Sequence, residues 1–344
     1  MQRSQVFVGV QYLRGIAAML VVLHHASSAY DGGINPLKNY YAPAAGVDVF
    51  FVISGFIMYS SARCDEARSF LGRRIARIVP LYWIATLTAL VLFEPNMRAA
   101  GTEPLYILKS LLFVPYVNPY HDGHVWPFLA PGWTLNYEMF FYGLFAIGLL
   151  FRRPLAFASG TIIVLVLAGN ALSISDPVTG FYMRPILIEF VCGMLIALLN
   201  EQGLVKRMDL ALLIGLVWLL WPDPISMGFL PDRLPSAVLC LLGAICLEKR
   251  GWFQRLPLLK QLGDASYSIY LAHTLFIWGV VLPYLELPLG GTTQFYWMVA
   301  VSLIGSALAG VVVHKLLEKP IVKIARRIFR PAPQIFPVER EIVT

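Results

Sequence analysis

Tyr12-Leu13-Arg14-Gly15-Ile16-Ala17-Ala18-Met19-Leu20-Val21-Val22-Leu23-His24-His25-Ala26-Ser27-Ser28-Ala29-Tyr30 is the stretch on which the fold turns. A helix rises 1.5 Å per residue, so about 20 apolar residues cross a hydrocarbon core of roughly 30 Å. The run has that length, and only Arg14, His24 and His25 interrupt it with ionisable groups. A cleaved leader is the competing reading, because Gly15 to Leu23 forms an apolar core and Ala26 to Ala29 are small. The ionisable residues inside the candidate helix favour a first retained span.

Working outward, comparable apolar runs lie near 44–61, 79–94, 132–151, 155–173, 184–200, 209–222, 233–248, 264–285 and 293–317. The fold class expected is therefore all-α: a polytopic integral membrane protein with about ten transmembrane helices. The run at 209–222 is short for a span. Composition agrees. The 344 residues are 58% hydrophobic and 14% charged, with a mean hydropathy of +0.68. A soluble chain of this size leaves too much surface in water to hide that much apolar area.

Lysine and arginine give the orientation. The second connection carries Arg63, Arg68, Arg73, Arg74 and Arg77, and the fourth Arg152 and Arg153. The sixth has Lys206 and Arg207, and the eighth Lys249, Arg250, Arg255 and Lys260. Lys319, Lys323, Arg326, Arg327 and Arg330 come after the last span. The odd connections are poor in basic residues: Lys38 in the first, Arg98 and Lys109 in the third. This alternation places both termini in the cytoplasm and divides the chain into a membrane domain, 1–320, and a basic cytoplasmic tail, 321–344. The net charge of +7 flanks apolar spans instead of forming one soluble patch, so nucleic acid is not an expected partner. The longest connection, 95–131, faces outward on this topology. It holds an amphipathic piece from Leu105 to Val114, which fits either a functional loop or a plain interfacial helix.

Ionisable groups inside spans are costly, so they mark cavities and function. Arg14 and His25 are 11 residues apart, which puts them on one helix face roughly 16 Å from each other. Arginine at the membrane rim suits the phosphates of an anionic cofactor. A deeper histidine suits proton abstraction from a hydroxyl, because its pKa lies near working pH. Snorkelling and helix packing explain the same pair without chemistry. Asp48 and Glu138 enter spans two and four from the outer side, and His273 lies about 13 Å into span nine. These groups are expected to approach His25, although helix capping and interhelical hydrogen bonding account for them too. Arg73-Arg74-Ile75-Ala76-Arg77 reads equally as a topology signal or a phosphate site. Cys64, Cys192, Cys240 and Cys246 lack metal-ligand spacing, and two histidines without a third ligand imply no metal site.

Taken in chain order, these segments resemble the acyltransferase-3 family of membrane acyltransferases, and within it the bacterial exopolysaccharide O-acetyltransferase branch. Tyr12-Leu13-Arg14-Gly15 with His25 is similar to its arginine–ten residues–histidine motif. Gly46-Val47-Asp48 through Ser54-Gly55-Phe56 resembles its second-span signature, and Arg73 through Trp83 its basic connection. Trp133-Thr134-Leu135-Asn136-Tyr137-Glu138, Ser266 through His273 and Glu318-Lys319-Pro320 resemble its later motifs. The departure is Asn136-Tyr137, where many members carry Ser-Val, a difference that bears on acceptor choice.

The resemblance implies acyl transfer, usually acetyl from acetyl-CoA, to a sugar hydroxyl of a surface polysaccharide or its lipid-linked oligosaccharide precursor. The location implied is the bacterial inner membrane, among its lipids, with no fused soluble domain taking over the chemistry. Roles are assigned by depth: Arg14, Arg73, Arg74 and Arg77 hold the CoA phosphates, with His273 assisting at the thioester. His25 is the general base, and Asp48 or Glu138 orients it or the acceptor. A flippase or transporter of polysaccharide precursors is the alternative, since it too would use ionisable groups in a cavity; a non-catalytic membrane scaffold is the third.

Overall fold

The computed structural model describes residues 7–30, 34–97, 104–119, 123–172, 174–224, 226–253, 256–284 and 289–329. Arg98, Arg255, Arg330 and the tail beyond 330 lie outside the described residues.

Among the described residues the secondary structure is helical throughout. Helix α1 spans Val8–Ala29, α2 Gly46–Ala62, α3 Ala67–Met97, α4 Pro104–Leu111 and α5 Gly132–Leu150. Then come α6 Pro154–Ala171, α7 Ile188–Glu201, α8 Ala211–Leu219, α9 Leu234–Lys249 and α10 Pro257–Asp264. Helix α11 (Ser266–Phe276) passes through a π turn, Ile277–Val281, into α12 (Leu282–Tyr284). Helix α13 (Gly291–Val313) passes through a second π turn, His314–Glu318, into α14 (Lys319–Ile328). Each π turn ends two residues before a proline, Pro283 or Pro320. Proline lacks the N–H that would close a regular turn, and the wider turn absorbs the loss.

Every apolar run expected to span is helical. Among the described residues, six helical stretches are both long and apolar enough to cross a membrane: Val8–Ala29, Ala42–Ala62, Ala67–Phe93, Pro154–Ala171, Ser266–Tyr284 and Gly291–Ile328. The chain is a polytopic membrane protein. Helix α5 has 19 residues but carries polar groups in its first half, while α7, α8 and α9, with 14, 9 and 16 residues, are short. The boundaries also differ from expectation at α3, which begins at Ala67 instead of residue 79. The basic segment Arg73–Arg77 is thus part of the helix that continues into the span, and not a connecting loop.

Helix α1 is the central column, packing against α2, α9, α10, α11 and α13. Small residues let the helices approach closely, the usual device where lipid supplies no hydrophobic drive between helices. Gly55 of α2 faces the Phe190 carbonyl of α7, and Gly193 of α7 faces the Val52 carbonyl of α2. Around this crossing the rings of Phe51, Phe190 and Phe141 stack at centroid distances of 4.6 and 4.5 Å. Outward-facing residues such as Val91, Val164, Ile304 and Leu308 are apolar and exposed, as a lipid-facing surface requires.

A Cβ at position 193 would overlap the Val52 carbonyl, whereas one at Gly143 meets open space. Gly193→Ala should therefore destabilise the protein by about 1–3 kcal/mol, the usual cost of overpacking. Gly143→Ala should leave the melting temperature in detergent unchanged.

Candidate active site

The sequence-predicted residues fall into separate groups, the first built around a cavity. Helices α1, α2, α3, α5 and α11 enclose about 90 Å³ lined by Arg14, Ser54, Arg74, Arg77, Thr134, Glu138, Tyr142, Tyr267 and Tyr270, with apolar residues of α2 between them. Arg14 reaches this wall from the first half of α1, and its Nη1 donates to Gln11 Oε1 at 3.3 Å. Arg74 and Arg77 lie three residues apart on α3, so the helical repeat presents both on one side. Glu138 is held from two directions: Ser54 Oγ donates to its Oε1 at 3.1 Å, and the Tyr142 hydroxyl, one turn along α5, donates to the same oxygen. Arg74 lies over the rings of Phe70 and Tyr142 at 5.6 and 5.9 Å, while its buried Nε has no hydrogen-bond partner. The lining thus sets Arg14, Arg74 and Arg77 against the single carboxylate Glu138, and the surplus of positive charge suits an anionic ligand.

The second group is imidazole. His25 lies in the last third of α1, and its ring centroid is 5.0 Å from that of His273 on α11 and 5.2 Å from that of His24. Trp278 closes another side at 5.9 Å. His273 is fully buried, and both of its ring nitrogens lack a hydrogen-bond partner. Neither His25 nor His273 lines the cationic cavity. Tyr270 links the two regions: it lines the cavity, and its ring lies 5.8 Å from that of His273. Its hydroxyl donates to the Pro131 carbonyl at 2.9 Å and meets the Thr134 hydroxyl at 2.8 Å, which fixes the start of α5 against α11.

Asp48 and Arg73 lie elsewhere. The Asp48 carboxyl faces Glu189 of α7, whose side chain is fully buried, on a different side of α2 from Ser54 and the cavity. Arg73 pairs with Asp65 and donates from Nη1 to the Phe329 carbonyl at 3.2 Å, tying α3 to the end of α14. Phe329 also packs where Gly72 leaves room. The structure therefore gathers Arg14, Arg74, Arg77 and Glu138 in one place and His25 with His273 in another. Sequence reasoning passed over Tyr142, Tyr270 and Glu189. The i, i+4 spacing of Glu138 and Tyr142 was a usable signal, as was a lone carboxylate in the apolar segment of α7.

Comparison with known proteins agrees with this architecture. The Acyl_transf_3 family model, described as an acyltransferase domain, matches residues 7–314. The chain is 38% identical over 302 residues to exopolysaccharide production protein ExoZ of Rhizobium meliloti, covering 82% of this chain and 90% of that protein. It is 24% identical to acyltransferase MdmB of Streptomyces mycarofaciens, over 82% of this chain and 81% of the relative. It is 25% identical to nodulation protein 10 of Rhizobium leguminosarum bv. viciae, over 91% and 92%. No solved structure matches. The chain belongs to the acyltransferase-3 family and is an enzyme, which decides against the transporter and scaffold readings.

The two neighbouring arginines should separate experimentally. Arg73→Ala should speed tryptic cleavage at Arg326 and Arg327 by about fivefold, the effect of losing a contact worth ~1 kcal/mol. Arg74→Ala, which leaves the tie to Phe329 intact, should cleave at the wild-type rate.

Proposed function

From its family membership and its cationic cavity, we propose that this membrane-bound O-acyltransferase takes an acyl group, typically acetyl, from acyl-CoA. The acceptor is a sugar hydroxyl of an exopolysaccharide or surface glycan precursor. The observation that carries the donor assignment is the set of guanidinium groups from Arg14, Arg74 and Arg77 converging on one cavity. Guanidinium forks bind phosphate oxygens with paired, charge-assisted hydrogen bonds, and coenzyme A is a polyphosphorylated thiol. The acceptor class draws support from ExoZ, whose name ties it to exopolysaccharide production.

In this reading Arg14, Arg74 and Arg77 hold the donor phosphates, and Glu138, with Tyr142 and Ser54, sets the position of the guanidinium groups. His25 takes the proton of the attacking sugar hydroxyl as its oxygen bonds to the thioester carbonyl carbon. Collapse of the tetrahedral intermediate breaks the C–S bond, and the thiolate leaves and takes up the proton. His273, beside His25, stabilises the oxyanion. Arg73 anchors α14 and Asp48 lies where α2 packs on α7, so both act on the scaffold. The protein crosses the bacterial inner membrane about ten times with both termini in the cytoplasm, which puts the basic mouth on the side where acyl-CoA is made.

Purified protein in nanodiscs supplied with labelled acetyl-CoA and a polysaccharide acceptor tests the reaction. Mass spectrometry of surface glycans with and without the gene should show loss of the acetyl increment. His25→Ala should lower turnover by about 10²–10⁴-fold, the span of general-base catalysis, with CoA affinity held within about twofold. Wild-type turnover in that variant ends the base assignment. Arg74→Ala or Arg77→Ala should weaken CoA binding by about tenfold to a hundredfold, as expected for a lost charged hydrogen bond. Unchanged affinity would leave these arginines only a topological role.

A further inference from the structure

One buried carboxylate beside the cavity has no part in the mechanism above. Glu318 is 4% exposed, in a helix whose outer residues face lipid. An ionised carboxylate so placed is tolerated only with partners. Ser268 Oγ of α11 donates to Glu318 Oε2 at 2.6 Å, and His314 Nδ1 lies 2.8 Å from the same oxygen. Ser268 is fully buried, so this bond crosses the interior of the α11–α13 contact. Nearby, Gly310 of α13 admits Ile269 of α11 at close range.

The π turn His314–Glu318 delivers the carboxylate. A π turn holds one residue more than an α turn, so the helix beyond it is rotated by about 100° relative to a regular one. Pro320 fixes that turn in place by withholding the N–H that would bond the Leu316 carbonyl. The residue bonded to Glu318 stands between site residues: Tyr267 and Tyr270 line the cavity, and His273 faces His25. Tyr267 is itself tied to α3, its hydroxyl donating to the Ile78 carbonyl at 2.7 Å, next to Arg77.

We infer that Glu318 is a positioning residue of the transfer site: through Ser268 it sets the register of α11. It touches neither donor nor acceptor. The inference rests on the transferase reading for its turnover measurement, and on side-chain geometry alone for its labelling measurement.

Glu318→Gln keeps shape and hydrogen-bonding capacity, and Ser268→Ala removes a single oxygen. In nanodiscs with acetyl-CoA, Glu318→Gln should melt near the wild-type temperature and bind CoA within about threefold, yet turn over about tenfold or more slowly, because small misplacements are costly to rate. Ser268→Ala should slow turnover in the same direction. The double variant should be no slower than Glu318→Gln, since both changes act through one contact. Rate losses that multiply, or unchanged turnover in Glu318→Gln, overturn the inference. Should Glu318→Gln fail to fold, Ser268→Ala decides: slower turnover at an unchanged melting temperature supports positioning, and wild-type turnover refutes it. Independently of any donor, phenylglyoxal labelling of Arg77, followed by peptide mass spectrometry, should change about threefold in Glu318→Gln, because α11 carries Tyr267, whose hydroxyl holds the Ile78 carbonyl next to Arg77. Unchanged labelling refutes the inference. Absence of CoA binding by the wild type would instead refute the donor assignment, with labelling still judging Glu318.

Discussion

An ionised side chain within a low-dielectric bundle must find an opposite charge or a ring of donors, and much of this architecture stems from that demand. Arg14, Arg74 and Arg77 line one cavity with Glu138, whose carboxylate is held by Ser54 and Tyr142. Glu318 meets Ser268 and His314, and Arg73 meets Asp65. Each pairing joins residues from different elements or successive turns, so satisfying the charges also fixes how the helices sit. A bundle in lipid gains little from burying apolar side chains, which lipid would accept equally well. Polar pairing and close glycine contacts supply the specificity instead.

Helix α1 gives the site its depth. It carries Arg14 into the cationic cavity and, eleven positions later, His25 into the imidazole group, so a single rigid rod spaces the two groups. Tyr270 bridges the two regions from α11, where its ring lies near His273 and its hydroxyl is fixed to the start of α5. Both π turns sit in the helices that flank α1 on this side. A regular turn would rotate His314 and Glu318 out of register with Ser268, so the irregular backbone serves the buried carboxylate.

Much of this was legible beforehand. The apolar runs all proved helical, because hydrophobic length is imposed by solvent and hardly depends on neighbours. The one-face relation of Arg14 and His25 also held, being a property of a single helix. What went unread was the division of labour among the polar groups. Arg73 and Arg74 are adjacent in sequence, yet the 100° step between them sends one toward Asp65 and Phe329 and the other into the cavity. Asp48 and Glu138 both enter their helices from the same end. Asp48 nevertheless faces Glu189, since the glycine crossing of α2 and α7 turns that side of α2 away from the cavity.

The sequence by itself determined the all-helical membrane class, the family and the roster of ionisable residues inside apolar runs. Those features depend on composition and on the geometry of one helix at a time. Only the tertiary structure decided which of those residues share a cavity and which lie apart from it, and it alone revealed Tyr142, Tyr270 and the Glu318–Ser268 contact as neighbours of the site. The physical reason is that helix rotation and crossing are set by contacts between distant segments, such as Gly55 on Phe190 and Tyr267 on Ile78. No local pattern encodes them.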